Sequence, residues 1–349
     1  MPDYGVVGGE RVKQVAISVI GAMCSAALFA LASGASAAAE KSKPDNSAVT
    51  RFGPFGPMGP RMCEQLWMLP GASDEIDLRA TVFRPGASCS DKARPLVVIN
   101  HGTDASTNES VSMPVFYWLS RWFVSRGWAV VLPQRRGHGA TGGELVEGRD
   151  TCARPEHFAS AQAAADDIEA AVRYMAHQTF VLPDTIVVAG ISSGGWASLA
   201  LSGRDIPGLR GVVNFAGGRG GHAGGRANAI CGRKRLVSDA GRLGSASRVP
   251  SLWLYAQNDS YFSPRLATTM FRAFVSAGAR ARLQITPAYG REGHYLANDQ
   301  AGWSLWSEKL AAFLSDIKEN KGDHYAVGMR KPPVSPAGYE GSFTAQQSN

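Results

Sequence analysis

The sequence predicts an α/β fold with a mostly parallel central sheet and helices on both faces, and three observations predict it. Short apolar runs, PLVVIN (95–100), AVVLP (129–133) and TIVVAG (185–190), recur along the chain, and such runs bounded by turn residues mark strands buried on both faces. Longer runs between them carry apolar residues at helical spacing, as at Ile168, Val172 and Met175,. These two signals alternate over most of the 349 residues, and alternation implies βαβ crossovers.

The first 62 residues stand outside this pattern. Arg11 and Lys13 precede an uncharged apolar run, VAISVIGAMCSAALFALASG, and the small residues Ala35, Ser36 and Ala37 follow it. A positive flank, an apolar stretch and a small-residue cleavage site predict a secretory signal peptide over 1–37. The competing reading is a retained anchor, because the run is nearly long enough to span a bilayer. Residues 38–62, with repeated Gly-Pro and no apolar period, read as an extended lead-in,.

The core domain is expected over 63–318. QLWMLP (65–70) and IDLRATVFRP (76–85) read as an opening antiparallel pair, and RPLVVINHG as a buried parallel strand,. MPVFYWLSRWFVSRG reads as a helix stopped at Gly127, and WAVVLPQRRG as the next strand,. HFASAQAAADDIEAAVRYMAHQ is helical, DTIVVAG a strand, and SSGGWASLALSGR a helix. LRGVVNFAGG and PSLWLYAQND are strands, and the glycine-rich stretch from Gly217 to Cys231 between them reads as a flexible loop with an exposed His222. A helix over SPRLATTMFRAFVSAGA, a last strand over ARLQITPAYG and a helix over WSLWSEKLAAFLSDI close the domain. The tail over 319–349 is rich in Pro, Gly and Ser, and poor order is expected there,.

Composition excludes some functions. The net charge of +7 is spread without a dense Lys/Arg run, so no nucleic-acid partner is expected. The histidines form no metal-spaced cluster with cysteines or each other, and neither a metal nor a cofactor is expected,. Removal of the signal would leave four cysteines, Cys63, Cys89, Cys152 and Cys231. In an oxidising compartment, periplasmic or extracellular, they allow two bridges in three pairings. Cys63 with Cys89, and Cys152 with Cys231, is the expected set, because the first two bracket the opening strands and the second two lie in loops expected to meet above the sheet.

One stretch carries chemistry. Gly190-Ile191-Ser192-Ser193-Gly194 fits G-x-S-x-G with Ser192 at its centre. A strand precedes it and a helix follows, so the hydroxyl of Ser192 is expected on a tight elbow at the carboxyl edge of the sheet. A serine needs a base held by an acid. In this architecture those follow in the order Ser, Asp or Glu, His. Asp259 ends a predicted strand and His294 follows the last one. The N–H of Ser193 and that of Thr103, with Gly102 as the alternative, are the candidate oxyanion donors. The side chain of Ser193 reads as a helix cap, and His101 as a residue shaping the turn.

These motifs, with PLVVINHG, RRGHGATGG, VVAGISSGGW, LWLYAQNDSYF and GREGHYL in order over about 65–317, resemble the α/β-hydrolase superfamily, and most closely its dienelactone hydrolase-like members. Dienelactone hydrolase uses cysteine at the elbow, where this chain has Ser192, so the resemblance implies a serine ester hydrolase acting on a small-molecule ester. Prolyl-oligopeptidase-type peptidases are similar in this domain but carry a large propeller, for which little room is expected here. A peptidase and a non-catalytic binding protein remain the alternatives. The sequence gives no oligomeric state.

Other features are ambiguous. Gly137, Gly139 and Gly142 have dinucleotide-loop spacing, but no helix signal opens at Gly142, so nucleotide binding is not expected,. Arg135 and Arg136 suit either a substrate carboxylate or an ion pair, and the ion pair is the expected role. Tyr261 and Phe262, directly after Asp259, suit either a pocket wall or the core.

Overall fold

A computed structural model describes residues 51–86, 89, 92–103, 112–148, 152–319 and 326–327. The signal peptide, most of the lead-in and nearly all of the tail lie outside the described residues. Among the described residues no helix is long and apolar enough to cross a membrane.

The strands are β1 (Gly53–Pro54), β2 (Gln65–Pro70), β3 (Asp77–Phe83), β4 (Arg94–Asn100), β5 (Ala129–Gln134), β6 (Val181–Ile191), β7 (Leu209–Phe215), β8 (Ser251–Ala256), β9 (Arg280–Thr286) and β10 (Ala326–Val327). They form one sheet in the order β1-β2-β3-β5-β4-β6-β7-β8-β9-β10. Neighbours from β5 through β9 pair in parallel. β1, β2 and β3 add antiparallel pairs at one edge, and β10 does so at the other. Leu96 to Ile99 and Ile186 to Ala189 are fully buried, as strands covered on both faces must be. Each such Val, Leu or Ile stabilises the fold by about 1.5–3 kcal/mol relative to exposure.

The helices are α1 (Tyr117–Val124), α2 (His157–Ala176), α3 (Ser193–Leu201), α4 (Arg233–Ala246), α5 (Pro264–Ser276) and α6 (Trp303–Lys318). The chain leaves β4 for β5 in one direction, then crosses back over β4 to β6 and continues through β9. Right-handed crossovers therefore put α1 on one face and α2 to α5 on the other. α6 joins α1, with Trp118 against Trp303 and Trp122 against Trp306 at ring separations of 6.1 and 5.6 Å. The reversal of direction opens a crevice at the carboxyl ends of β4 and β6, where sites form in sheets of this kind.

Three expectations change. α4 follows the glycine-rich loop, where no helix was expected. Its Leu236, Ala240 and Leu243 are buried at helical spacing, but four basic residues mask the apolar period. α1 begins at Tyr117 and not at Met113. ARLQITPAYG does not supply the last strand, because Ala326 and Val327, in the expected poorly ordered tail, pair with β9.

Both expected disulfides are present, with Cα–Cα separations of 5.5 Å for Cys63–Cys89 and 4.6 Å for Cys152–Cys231. The second ties the segment before α2 to the loop before α4. Two bridges fit an extracellular or periplasmic protein.

Candidate active site

β6 turns into α3 at Ser192, which holds φ 57° and ψ −125°. A residue with a Cβ pays on the order of 1–3 kcal/mol for such a backbone. The surroundings enforce it. The N–H of Ser192 donates to the Phe215 carbonyl at 3.0 Å, and its own carbonyl accepts from Trp196 and Gly218 at 3.1 and 3.2 Å. Two glycines permit the turn. A methyl on Gly190 would stand 2.2 Å from the Gly194 carbonyl oxygen, and one on Gly194 would stand 2.3 Å from that of His101. The loop after β4 lies directly beside the elbow, since a methyl on Gly102 would stand 3.1 Å from Ser192 Cβ and 3.7 Å from its Oγ. Neither the Thr103 N–H nor the Ser193 N–H meets a protein acceptor among the described residues.

Asp259 and His294 meet at the ends of β8 and β9. His294 Nδ1 lies 3.3 Å from Asp259 Oδ2, and both residues are buried. Asp259 Oδ1 accepts the N–H groups of Tyr261 and Phe262, each at 2.8 Å, so the carboxylate cannot rotate freely. Glu292, absent from the sequence reading, joins the two loops. Its Oε1 accepts from the backbone N–H groups of Ser260 at 3.0 Å and His294 at 2.9 Å, and its Oε2 accepts from the Ser260 hydroxyl. The signal was its place two residues before His294, at the N-cap of a short turn. Gly218, bonded to Ser192, packs under Phe262, whose ring lies 5.6 Å from that of His294. The serine elbow and the Asp–His pair thus share one wall.

Residues 74–238, just under half of the chain, match the family model described as X-Pro dipeptidyl-peptidase (S15 family). No curated protein matches the sequence. Solved structures do. An acetyl xylan esterase from Paenibacillus sp. R4 superposes with TM-score 0.53 at 13% identity, over 76% of this chain and 87% of that one. Porphyromonas gingivalis dipeptidyl peptidase 4 gives 0.51 at 15% identity, over 74% of this chain and 36% of that one. A Mycobacterium tuberculosis puromycin-hydrolyzing peptidase gives 0.51 at 17%, over 74% and 40%. The chain has the α/β-hydrolase fold. It spans well under half of the two peptidases it matches and most of the esterase.

Behind Thr103 the fold buries a charged cluster that the sequence did not reveal. Arg135 is fully buried, donates from Nε to Glu147 Oε1 at 2.7 Å, and donates from a terminal nitrogen to the His101 carbonyl at 2.8 Å. Arg219 reaches Glu147 Oε2 at 3.4 Å. Burial pushes the Glu147 carboxyl up, but Arg135 and Arg219 outweigh it and hold the pKa down at about 2,. Burial and the Arg135 charge push His101 well below the ordinary histidine range and lower His138 as well. Both imidazoles are therefore neutral. His101 Nδ1 donates to the Gly102 carbonyl at 2.7 Å, and its Nε2 accepts from the Arg135 N–H at 3.1 Å. His101 shapes this turn.

The structure places the other candidate residues as follows. Arg135, held by Glu147, does not face an open pocket. Arg136 pairs with Asp167 at 3.3 Å, and its N–H donates to the same carboxylate at 3.0 Å. Phe262 is 2% exposed and belongs to the core. Tyr261 is half-buried and lies between two imidazoles, stacked on His294 at 4.2 Å and on His222 at 3.5 Å. His222 is therefore not a free loop residue, and its Nε2 lies 2.7 Å from the Ser260 hydroxyl. The Ser193 hydroxyl does not cap α3; it donates to Thr103 Oγ1 at 2.8 Å. Among the described residues no group of three or more His, Cys, Asp or Glu is placed to hold a metal ion.

The cluster is expected to make the fold acid-labile. His101, His138 and Glu147 all have folded pKa values below their unfolded ones. The unfolded chain binds protons first, so their stabilisation is full above about pH 6.5 and is lost as pH falls toward about 2. Asp167, raised by burial, opposes this as one group against three. Urea midpoints measured from pH 7.5 to 4 are expected to fall continuously below pH 6.5. A flat midpoint between pH 7 and 5 contradicts the burial of neutral histidines.

Proposed function

We propose that this α/β-hydrolase is an exported serine hydrolase that cleaves small carboxylic esters through an acyl-enzyme. The observation that carries this reading is the strained backbone of Ser192, a non-glycine residue at φ 57°, because such strain persists where function needs the side chain presented. His294 Nε2 takes the proton as Ser192 Oγ attacks the ester carbonyl. Asp259 fixes the imidazole with Nδ1 protonated and steadies its positive charge. The N–H groups of Ser193 and Thr103 receive the oxyanion at the N-terminus of α3, where the helix dipole favours negative charge. The carbon–oxygen bond to the leaving group breaks, and His294 gives that alcohol its proton. Water then attacks the acyl-enzyme with His294 as base, the acid departs, and Ser192 regains its proton. No cofactor enters this cycle.

Export is supported by the charged flank and small-residue site around the N-terminal apolar run and by the two bridges. Solved structures of this fold include ester and peptide hydrolases, so the fold leaves the bond type open. The S15 match favours a second reading, an X-Pro peptidase. Such an enzyme must bind a substrate ammonium, yet among the described residues the two glutamates beside the site, Glu147 and Glu292, are already bound within the protein. That favours the ester. The test is a fluorophosphonate probe with peptide mapping, beside p-nitrophenyl esters of increasing acyl length and X-Pro p-nitroanilides. Label on Ser192 with ester turnover is expected. Faster anilide turnover selects the peptidase, and an unlabelled Ser192 selects a binding protein.

A further inference from the structure

The second serine of the elbow has a side chain that the reaction outlined above does not use. Its hydroxyl donates to Thr103 Oγ1 at 2.8 Å, across 90 residues of sequence. The N–H groups of these two residues meet no protein acceptor among the described residues. Thr103 Oγ1 is also held from behind. Glu147 Oε2 and His138 Nε2 each lie 3.4 Å away, and a terminal nitrogen of Arg135 lies 3.5 Å away. His138 Nδ1 faces the carbonyls of Arg135 and Arg136, both at 3.2 Å, so Nδ1 carries the proton and Nε2 accepts. The Thr103 hydroxyl thus accepts a hydrogen bond from Ser193 and donates its own to this cluster.

We propose that the Ser193–Thr103 hydroxyl bond is a clip that sets the spacing of the two oxyanion N–H groups, making Ser193 and Thr103 side chains positioning residues. The inference rests on the ester-hydrolase reading and deepens it. Thr103 sits on a loop, whereas Ser193 is fixed in the first turn of α3. Without a tie, the two donors depend on separate elements. A preorganised pair costs no rearrangement when charge develops on the carbonyl oxygen, and a loose pair does. The clip runs from the helix through two hydroxyls to Glu147 and His138, which the fold buries and saturates. The chain therefore places its charged cluster where it holds Thr103, the donor that lies outside any helix or strand.

The clip predicts a particular pattern of rates. Ser193→Ala and Thr103→Val each lower kcat for a chromogenic ester by about tenfold to a hundredfold, short of the ~10²–10³ lost with a whole donor. KM stays within about twofold, because the bond acts on the transition state. Inhibition by a boronic acid, which mimics the tetrahedral adduct, weakens in parallel with kcat. The double variant falls no further than the worse single one, since one bond is lost in each case. Thr103→Ser keeps the hydroxyl and restores kcat to within about threefold of the parent. A purely packing role would change the thermal midpoint and leave this coupling absent. Additive losses, or unchanged kcat in Ser193→Ala, overturn the clip. If Thr103→Val does not fold, Ser193→Ala and Thr103→Ser decide. A parent protein that labels at Ser192 and turns over esters while both single variants keep full kcat refutes the clip alone. A parent that does neither refutes the ester reading and the clip with it.

Discussion

Replacing Ser192 by alanine is expected to lower kcat for ester hydrolysis on the order of 10⁵–10⁶-fold and to abolish fluorophosphonate labelling. The hydroxyl is the only atom removed. Its backbone bonds to Phe215, Trp196 and Gly218 need no side chain, so the fold is unaffected. The remaining rate, about 10³–10⁴ above water, would come from the oxyanion donors and from binding. Alanine keeps the Cβ and hence the strain at φ 57°. Ser192→Gly loses the same activity but relieves the backbone, and it is expected to be more stable than the parent by about 1–3 kcal/mol. Single-turnover kinetics and urea midpoints on both variants separate the two effects. Activity in Ser192→Ala within tenfold of the parent would exclude Ser192 as the nucleophile.

The second large effect is expected for Asp259→Asn, about 10⁴-fold in kcat with little change in KM. The geometry gives the reason. Oδ1 accepts two backbone N–H groups at 2.8 Å, so the amide carbonyl must take that position and the NH₂ must face His294. An NH₂ donates, and His294 Nδ1 can then only accept. The imidazole proton moves to Nε2, the atom that must receive the Ser192 proton. The variant thus holds the base in the wrong tautomer while its shape is unchanged. About 5 kcal/mol of barrier corresponds to this loss. Kinetics on the mature protein, with circular dichroism as a control for folding, check it. A variant that retains a tenth or more of the parent kcat removes Asp259 from the proposed mechanism.

Much of this site is legible in the sequence because each part is local. G-I-S-S-G after a β-branched run demands a tight strand-to-helix turn, whatever the rest of the chain does. Asp259 and His294 were found because parallel strands deliver their following loops to one edge. The alternation of apolar runs likewise fixes the class of fold, since a strand buried on both faces must be apolar throughout. α4 was not legible. Its buried Leu236, Ala240 and Leu243 are outnumbered by basic residues that face outward, and only packing against α5 and α2 selects the helix.

The sequence by itself determined the fold class, the elbow at Ser192 and the order of its candidate partners, because backbone chemistry and periodicity act over a few residues. Only the tertiary structure decided what polar side chains do. Arg135 suited a substrate carboxylate as well as an ion pair until Glu147, twelve residues away, was found bonded to it at 2.7 Å inside the core. Ser193 looked like a helix cap until Thr103 stood 2.8 Å from its hydroxyl. Glu292 carried no assigned role, yet it joins the loops of Asp259 and His294. A hydrogen bond depends on distances of a few tenths of an ångström between atoms from remote segments, and no pattern along the chain encodes such distances.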